Sequence, residues 1–354
     1  MKEMFGYILK RLFYGFLVLL GVITIVFFLF FALPNDPAEV LLGAKGNAEQ
    51  KKLITQELGL DKPLYLQYIY YLNDLSIISI HQNTPKNQKE YEYLPLLSFQ
   101  ENVLVLKMPY LRRSYLNKKR VAEILYEDLG GTLVLALSAM LLASIIGVTL
   151  GVISALNVRT WIDYTLITIT VAGISTPSFV MAILMANIFA LYLAEYTGLK
   201  LVGSLWELDA IQGYRLALAN LILPAFTLSL RPLAVITQLT RSSMLDVLSQ
   251  DYIRTAKAKG VPQYIIILKH ALKNALNPVI TAVSGWLATL MAGAFFIEYI
   301  FNWKGLGRTT IQAVQESDLP IVMGAVILVA CIFVVVNIIV DVLYAILDPR
   351  VRIS

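Results

Sequence analysis

Charge is scarce in this chain: 15% of its 354 residues are Asp, Glu, Lys or Arg, against 58% that are hydrophobic. That balance excludes an ordinary soluble domain and points to a membrane protein. Histidine is nearly absent, with only His81 and His270 and no His-Glu-x-x-His pattern, so neither a zinc site nor a metalloprotease is expected. The single cysteine, Cys331, lies in an apolar run without a partner; no intrachain disulfide can form, and packing is its expected role. There is no Gly-x4-Gly-Lys-Ser/Thr segment, so the chain does not itself hydrolyse ATP in the usual P-loop way. No catalytic, metal-binding or cofactor-binding residue is assigned. Acids inside the apolar runs are few, which weakens a proton-driven carrier, and no two inverted halves of matching pattern are visible. The net charge of +5 would suit nucleic acid, but Lys and Arg flank the apolar runs instead of forming one patch.

What the chain has in abundance is apolar runs of about 20 residues, long enough to cross a bilayer at a rise of 1.5 Å per residue. Six spans are expected, at 12–33, 132–156, 165–193, 216–240, 276–300 and 320–347. Lys10, Arg11, Arg159, Arg241, Arg254, Lys257, Lys259, Lys269, Lys273, Arg350 and Arg352 all fall on one side if both termini are cytoplasmic. Lys118, Lys119 and Arg120 lie close to the second span on the opposite side, against this rule. The N-terminal run is too long for a cleaved signal and lacks a small-x-small site, so it reads as a retained span. The expected organisation is therefore a first helix at 1–33 and a large external region at 34–130. A five-helix core follows at 131–347, and a cytoplasmic tail at 348–354.

The external region has patterns of its own. Asn47 and Gln50 form a capping-box pair, and Gly59 with Pro63 closes a short helix with Leu53, Ile54 and Leu58 on one face. Tyr65, Tyr68, Tyr70 and Tyr71 then interleave with aliphatic residues, as suits the headgroup level. Residues 76–108 contain a polar stretch, His81 to Glu92, and a strand-like run at 103–106.

Between the fourth and fifth spans lies a basic loop, 241–275, with too much internal order for a linker. Thr255, Ala256, Lys257, Ala258 and Lys259 favour helix, Gly260 can stop it, and Pro262 prevents continuation. A second helical run carries His270, Lys273 and Asn274 back to the membrane, so the loop forms a protruding elbow suited to a groove on another protein.

The elbow residues Asp251-Tyr252, Arg254-Thr255-Ala256, Ala258-Lys259-Gly260, His270-Ala271-Leu272, Asn274-Ala275 and Pro278 resemble the coupling loop of ABC-importer permeases of the dipeptide/oligopeptide family. Arg254 stands where the wider importer pattern has Glu. The resemblance extends to Tyr7–Leu12, to the Leu33–Ala38 exit with Asn35 in place of Gly, and to 58–63 with Gln67-Tyr68. It continues through Pro177-Ser178-Phe179 and through 303–307, with Lys304 replacing Pro, to 343–350; only 76–108 interrupts it. It implies an all-α, six-helix type I importer permease of the inner membrane. Partners would be a second, related permease subunit as a heterodimer, two ATPase subunits holding ATP and Mg, and an external substrate-binding protein. Peptides would be the cargo; nickel chelates, glutathione and other small solutes are handled by the same family and stay open. From another class, an ion-coupled carrier or channel working alone is the competing reading, separable by ATP-dependence.

Within the spans, Pro177, Pro224 and Pro232 free backbone groups and are expected to kink their helices. Arg231 is the sharpest residue: it either lines the substrate path, with Pro177 and Ser178, or is buried with a counter-ion, Asp341 or Glu298. Gly305 and Gly307 are expected to permit a tight reversal, and Trp303 to sit at the membrane interface. The 76–108 insert reads as an elaboration of the loop in preference to a contact for a binding protein.

Overall fold

The computed structural model describes residues 2–31, 55, 61–99, 101–209 and 213–347. The capping-box helix around Asn47, the exit motif at Leu33, the 348–354 tail and Arg350 and Arg352 lie outside these residues. In chain order the described elements are α1 (Lys2–Phe31), α2 (Leu64–Leu75), β1 (Ile78–Gln82), α3 (Pro85–Tyr91), β2 (Leu94–Phe99), β3 (Asn102–Leu106) and α4 (Val121–Leu156). There follow α5 (Trp161–Ser175), α6 (Ser178–Asn187) with a π turn at Ile188–Tyr192, α7 (Ala194–Thr197), β4 (Trp206–Asp209) and β5 (Gly213–Leu216). The chain then forms α8 (Ala219–Leu248), α9 (Asp251–Ala258), α10 (Gln263–Ile265) with a π turn at Ile266–Ala271, and α11 (Leu272–Gly293). It ends with α12 (Phe295–Ile300), α13 (Leu306–Gln315) and α14 (Leu319–Leu347).

Four helical stretches, Leu9–Phe30, Val121–Leu156, Ala219–Leu248 and Leu319–Val342, are long and apolar enough to cross a membrane. The pair formed by α5 and by α6 with its π turn passes the same test only when taken together, with a bend of 112° between the two. Its corner is Thr176-Pro177, where both residues leave the helical region (ψ 130 and 139). The kink expected from Pro177 is thus a full break. The fifth expected span, 276–300, corresponds to α11, which at 22 residues has the length to cross a membrane. Two small antiparallel sheets, β1-β3-β2 and β4-β5, depart from a purely helical chain.

The described chain divides into two units: 1–15, 128–308 and 329–354 form one, and 16–127 with 309–328 the other. In the larger unit, alanines pave the contacts: Ala136, Ala139 and Ala143 on α4 and Ala182 and Ala186 on α6 are buried in one core with Leu223, Leu233 and Ile236 of α8. Helices in lipid lack a hydrophobic drive toward one another, and small side chains let backbones approach for dispersion contact. Gly151 of α4 shows the consequence, since a Cβ there would stand 2.5 Å from the Thr240 side chain of α8.

In the smaller unit, α2 packs on the end of α1. The rings of Tyr68 and Tyr71 lie tilted against Phe27 at 5.1 and 5.6 Å, and the Tyr68 hydroxyl meets Thr24 Oγ1 at 2.7 Å. The three-stranded sheet covers Val103 and Val105 with Tyr93 and Tyr91. Its other face leaves Ile78, Ile80, Leu94, Leu97 and Phe99 exposed. Lys107 is buried and donates to the Asp74 carbonyl, and burial pushes its ammonium down to about 8. Burial likewise pushes His81 down to about 4, so its ring stays neutral at pH 7. Arg120, one of the three basic residues that run against the expected charge rule, is occupied by Glu92 at 2.7 Å and by the Glu90 carbonyl at 3.1 Å.

Candidate functional site

The elbow is built by local rules. α9 ends at Ala258 with Lys259 as its C-cap, and Gly260 adopts φ 75, a left-handed conformation that a β-branched residue resists. Gly260 N–H donates to Lys257 O at 3.0 Å and Val261 N–H to Ala256 O at 3.2 Å, the paired bonds of a Schellman stop. Pro262 then opens the next helical turn at φ -54. One face of α9 is held: Ile253 is fully buried among Met244, Ile266, Ala271 and Ala275, with Ala256 and Val261 packed alongside. Arg254, Thr255, Lys257, Ala258 and Lys259 are exposed together. The small residue on the outward face is therefore Ala258; Ala256 faces inward, where its size serves the elbow's own packing.

A polar latch joins the two limbs. The Tyr252 hydroxyl lies 2.8 Å from Asn274 Nδ2, and both donate toward the His270 carbonyl, at 3.3 and 3.2 Å. His270 thus takes part through its backbone. Asp251 and Arg254 pair at 3.3 Å but are almost wholly in solvent, so that contact contributes little.

Behind the elbow, Arg241 of α8 grips Asp163 of α5 through two bonds of 2.7 Å, from Nε and Nη2. Asp163 also accepts from Arg159 N–H at 3.0 Å and from the Ser154 hydroxyl. Sequence reasoning placed Arg241 among the basic loop residues and missed its partner. The available signal was an Asp in the first turn of an otherwise apolar run.

A cavity of about 90 Å³ lies where α5 breaks, between α5, α6, α8 and α11. Thr176, Ser178, Thr227, Arg231, Trp286 and Thr289 are among the residues lining it. Arg231 and Ser178 are thus brought together, and Pro177 makes the corner that opens the space. Neither proposed counter-ion reaches Arg231. Asp341 pairs with Arg11 at 3.1 Å. Glu298 is fully buried and accepts from the Thr132 hydroxyl at 2.7 Å, Gly307 N–H at 2.6 Å and Arg308 N–H at 3.3 Å. Arg231 makes no ion pair with any described residue.

The Glu298 node also revises the segment after it. Asn302, at φ 52, makes the reversal, whereas Gly305 lies against the Glu298 carboxylate, where a Cβ would stand 2.5 Å away. Close approach, not a special backbone angle, requires that glycine. Trp303 is fully buried, donating from Nε1 to Gly131 O at 2.9 Å, and is a packing residue and not an interface anchor. Among the described residues no group of three His, Cys, Asp or Glu is placed to hold a metal ion.

Comparison with known proteins covers the chain. Residues 147–353 match the binding-protein-dependent transport system inner membrane component, and residues 4–136 match the N-terminal region of such membrane components. The glutathione transport system permease protein of Escherichia coli O6:H1 is 34% identical over 350 residues, covering 99% of each chain. The dipeptide transport system permease protein of Alkalihalophilus pseudofirmus is 32% identical over 364 residues, covering 99% of this chain and 100% of that one. Of solved structures, an inward-facing methionine ABC transporter is similar at a TM-score of 0.47 and 18% identity, over 62% of this chain and 96% of that chain.

Proposed function

The chain belongs to the family of binding-protein-dependent transport system inner membrane components, and from that premise we propose that it forms part of the translocation path for peptides in an ATP-driven importer. It is a multi-pass inner-membrane permease subunit of an ABC importer, working with ATPase and substrate-binding partners. The finer assignments are ours. A second, related permease subunit completes the path as a heterodimer. Two ATPase subunits hold ATP and Mg, and a capture protein on the outside delivers cargo. Both termini and the elbow are cytoplasmic, and the region after α1 is external, following the distribution of Lys and Arg. Di- and oligopeptides are the proposed cargo. The relatives named for dipeptide and for glutathione, itself a tripeptide, both favour a peptide bond in what is carried.

One observation carries the coupling role: a short helix with an exposed basic face is fixed by Ile253 and by the Tyr252–Asn274 latch to the helices on either side. Movement of a docked ATPase would be passed to α8 and α11 through that rigid corner, a two-state element biased from a distance. Gly260→Val strains the Schellman stop without touching a span. The variant should insert normally while losing most of its co-purifying ATPase and its cargo-stimulated ATP turnover. Wild-type ATPase retention and turnover in Gly260→Val would remove the elbow from the mechanism. Labelling of a cysteine placed at Gln250 in intact cells tests the orientation; reaction with a membrane-impermeant reagent there would invert it.

A further inference from the structure

We propose that Arg231 receives the carboxylate of the cargo, so that this permease itself favours peptides with a free C-terminal acid over the same peptides without one. The inference rests on the peptide-importer reading above. Arg231 sits near the middle of α8, roughly 18 Å from one helix end and 25 Å from the other, and its side chain is exposed on the isolated chain. A guanidinium at that depth is costly unless it meets an anion or a water-filled space. The described chain supplies the space and not the anion. Arg231 lines the cavity at the α5–α6 break, and no Asp or Glu lines it with Arg231. The two acids weighed as its counter-ions are taken, Asp341 by Arg11 and Glu298 by Thr132 and two backbone N–H groups.

The rest of the lining fits a carboxylate on a peptide. Thr176, Thr227 and Thr289 bond to carbonyls of their own helices, so each keeps oxygen lone pairs for a peptide N–H. The Ser178 side chain lines the same space and opens α6, a ten-residue helix whose N-cap, Pro177, makes no side-chain bond to the first turn. The partly positive end of α6 therefore adds to the field of Arg231. Trp286 supplies an apolar wall for an aliphatic side chain. Arginine also matches a carboxylate in shape, giving two parallel N–H···O bonds that an ammonium cannot reproduce.

The test uses the assembled importer with its capture protein and ATPases in proteoliposomes, with trialanine and trialanine amide as probes. The quantity read is the ratio of ATP-dependent uptake, acid over amide. Comparing that ratio between variants cancels whatever preference the capture protein contributes. Arg231→Gln should lower the ratio about tenfold or more, the range expected for a lost charge-assisted hydrogen bond, and Arg231→Lys should lower it less. Ser178→Glu keeps Arg231 and offers it a carboxylate from within the cavity; it should also collapse the ratio, and it decides the matter should Arg231→Gln fail to assemble. A wild-type ratio in either Arg231→Gln or Ser178→Glu overturns the proposal while leaving the importer reading intact. Absence of ATP-dependent peptide uptake by the wild-type assembly is the distinct failure of the parent reading and takes this inference with it.

Discussion

Arg231 and Arg241 stand on the same helix, about 15 Å apart along its axis, and the surroundings of the two could hardly differ more. Arg241 is met by a carboxylate built for it: Asp163 is 2% exposed, offers both oxygens, and is itself steadied by Ser154 and Arg159 N–H. Arg231 is met by hydroxyls, an indole and open space. A charge within a span therefore has two distinct fates on one helix. Where the fold supplies a bidentate partner, the charge fixes helices to each other, here α8 to α5 near the elbow. Where the fold supplies a polar cavity, the charge makes no ion pair with any described residue, which is the basis of the cargo proposal above. The distinction lies in second residues far away in sequence, not in the arginines.

The largest effect on this contrast should come from removing Asp163. Asp163→Ala strands the Arg241 guanidinium together with the Ser154 hydroxyl and the Arg159 N–H. The cost should be about 3 kcal/mol, toward the low end for a broken buried pair because Arg241 is 23% exposed. Thermal unfolding of the purified assembly in detergent measures it, and Asp163→Asn with Arg241→Gln should recover more than half of the loss. A melting curve unchanged by Asp163→Ala would reduce the pair to an accident of packing. A smaller effect, about 1 kcal/mol, is expected for Arg241→Lys, which keeps the charge but replaces a planar fork by a point donor. Smallest of all should be the stability effect of Arg231→Leu, within about 0.5 kcal/mol, because no described residue depends on that side chain for an ion pair. A loss as large as that of Asp163→Ala would mean that Arg231 is structural after all, and the contrast between the two arginines would vanish.

How far the sequence could be read follows the same division between local and distant causes. The elbow was legible because its stop is local: Gly260 and Pro262 act on the residues beside them, and both behave as their chemistry requires. The break at Pro177 was legible for the same reason, although a kink understates a 112° corner. Arg241's partner was not legible, since Asp163 lies 78 residues away and only packing brings the two together. Glu298 was misjudged as a counter-ion because depth in a span says nothing about which backbone N–H groups a carboxylate will find. Trp303 fits the interface role its residue type suggests, but tertiary contacts turn it inward. The sheet at 78–106 announced only its central strand, because β2 is apolar without alternation: all of Leu94–Phe99 is exposed.

The π turn at Ile266–Ala271 sets a rotational phase. One residue more than an α-helix needs is absorbed between the elbow and α11, and one residue corresponds to about 100° of rotation and 1.5 Å of advance. Everything beyond the turn shares that phase: Asn274, which must face Tyr252, and Trp286 and Thr289, which face the Arg231 cavity. A single-residue deletion within the turn would therefore act like a key turned in a lock. The elbow would keep its basic face and its contact with Met244, while Ala275 of the Ile253 anchor, the latch and two cavity residues swung away together. The proposed coupling element and the proposed cargo site are thus indexed to the same turn of backbone, so a change in chain length at this one place shifts both at once.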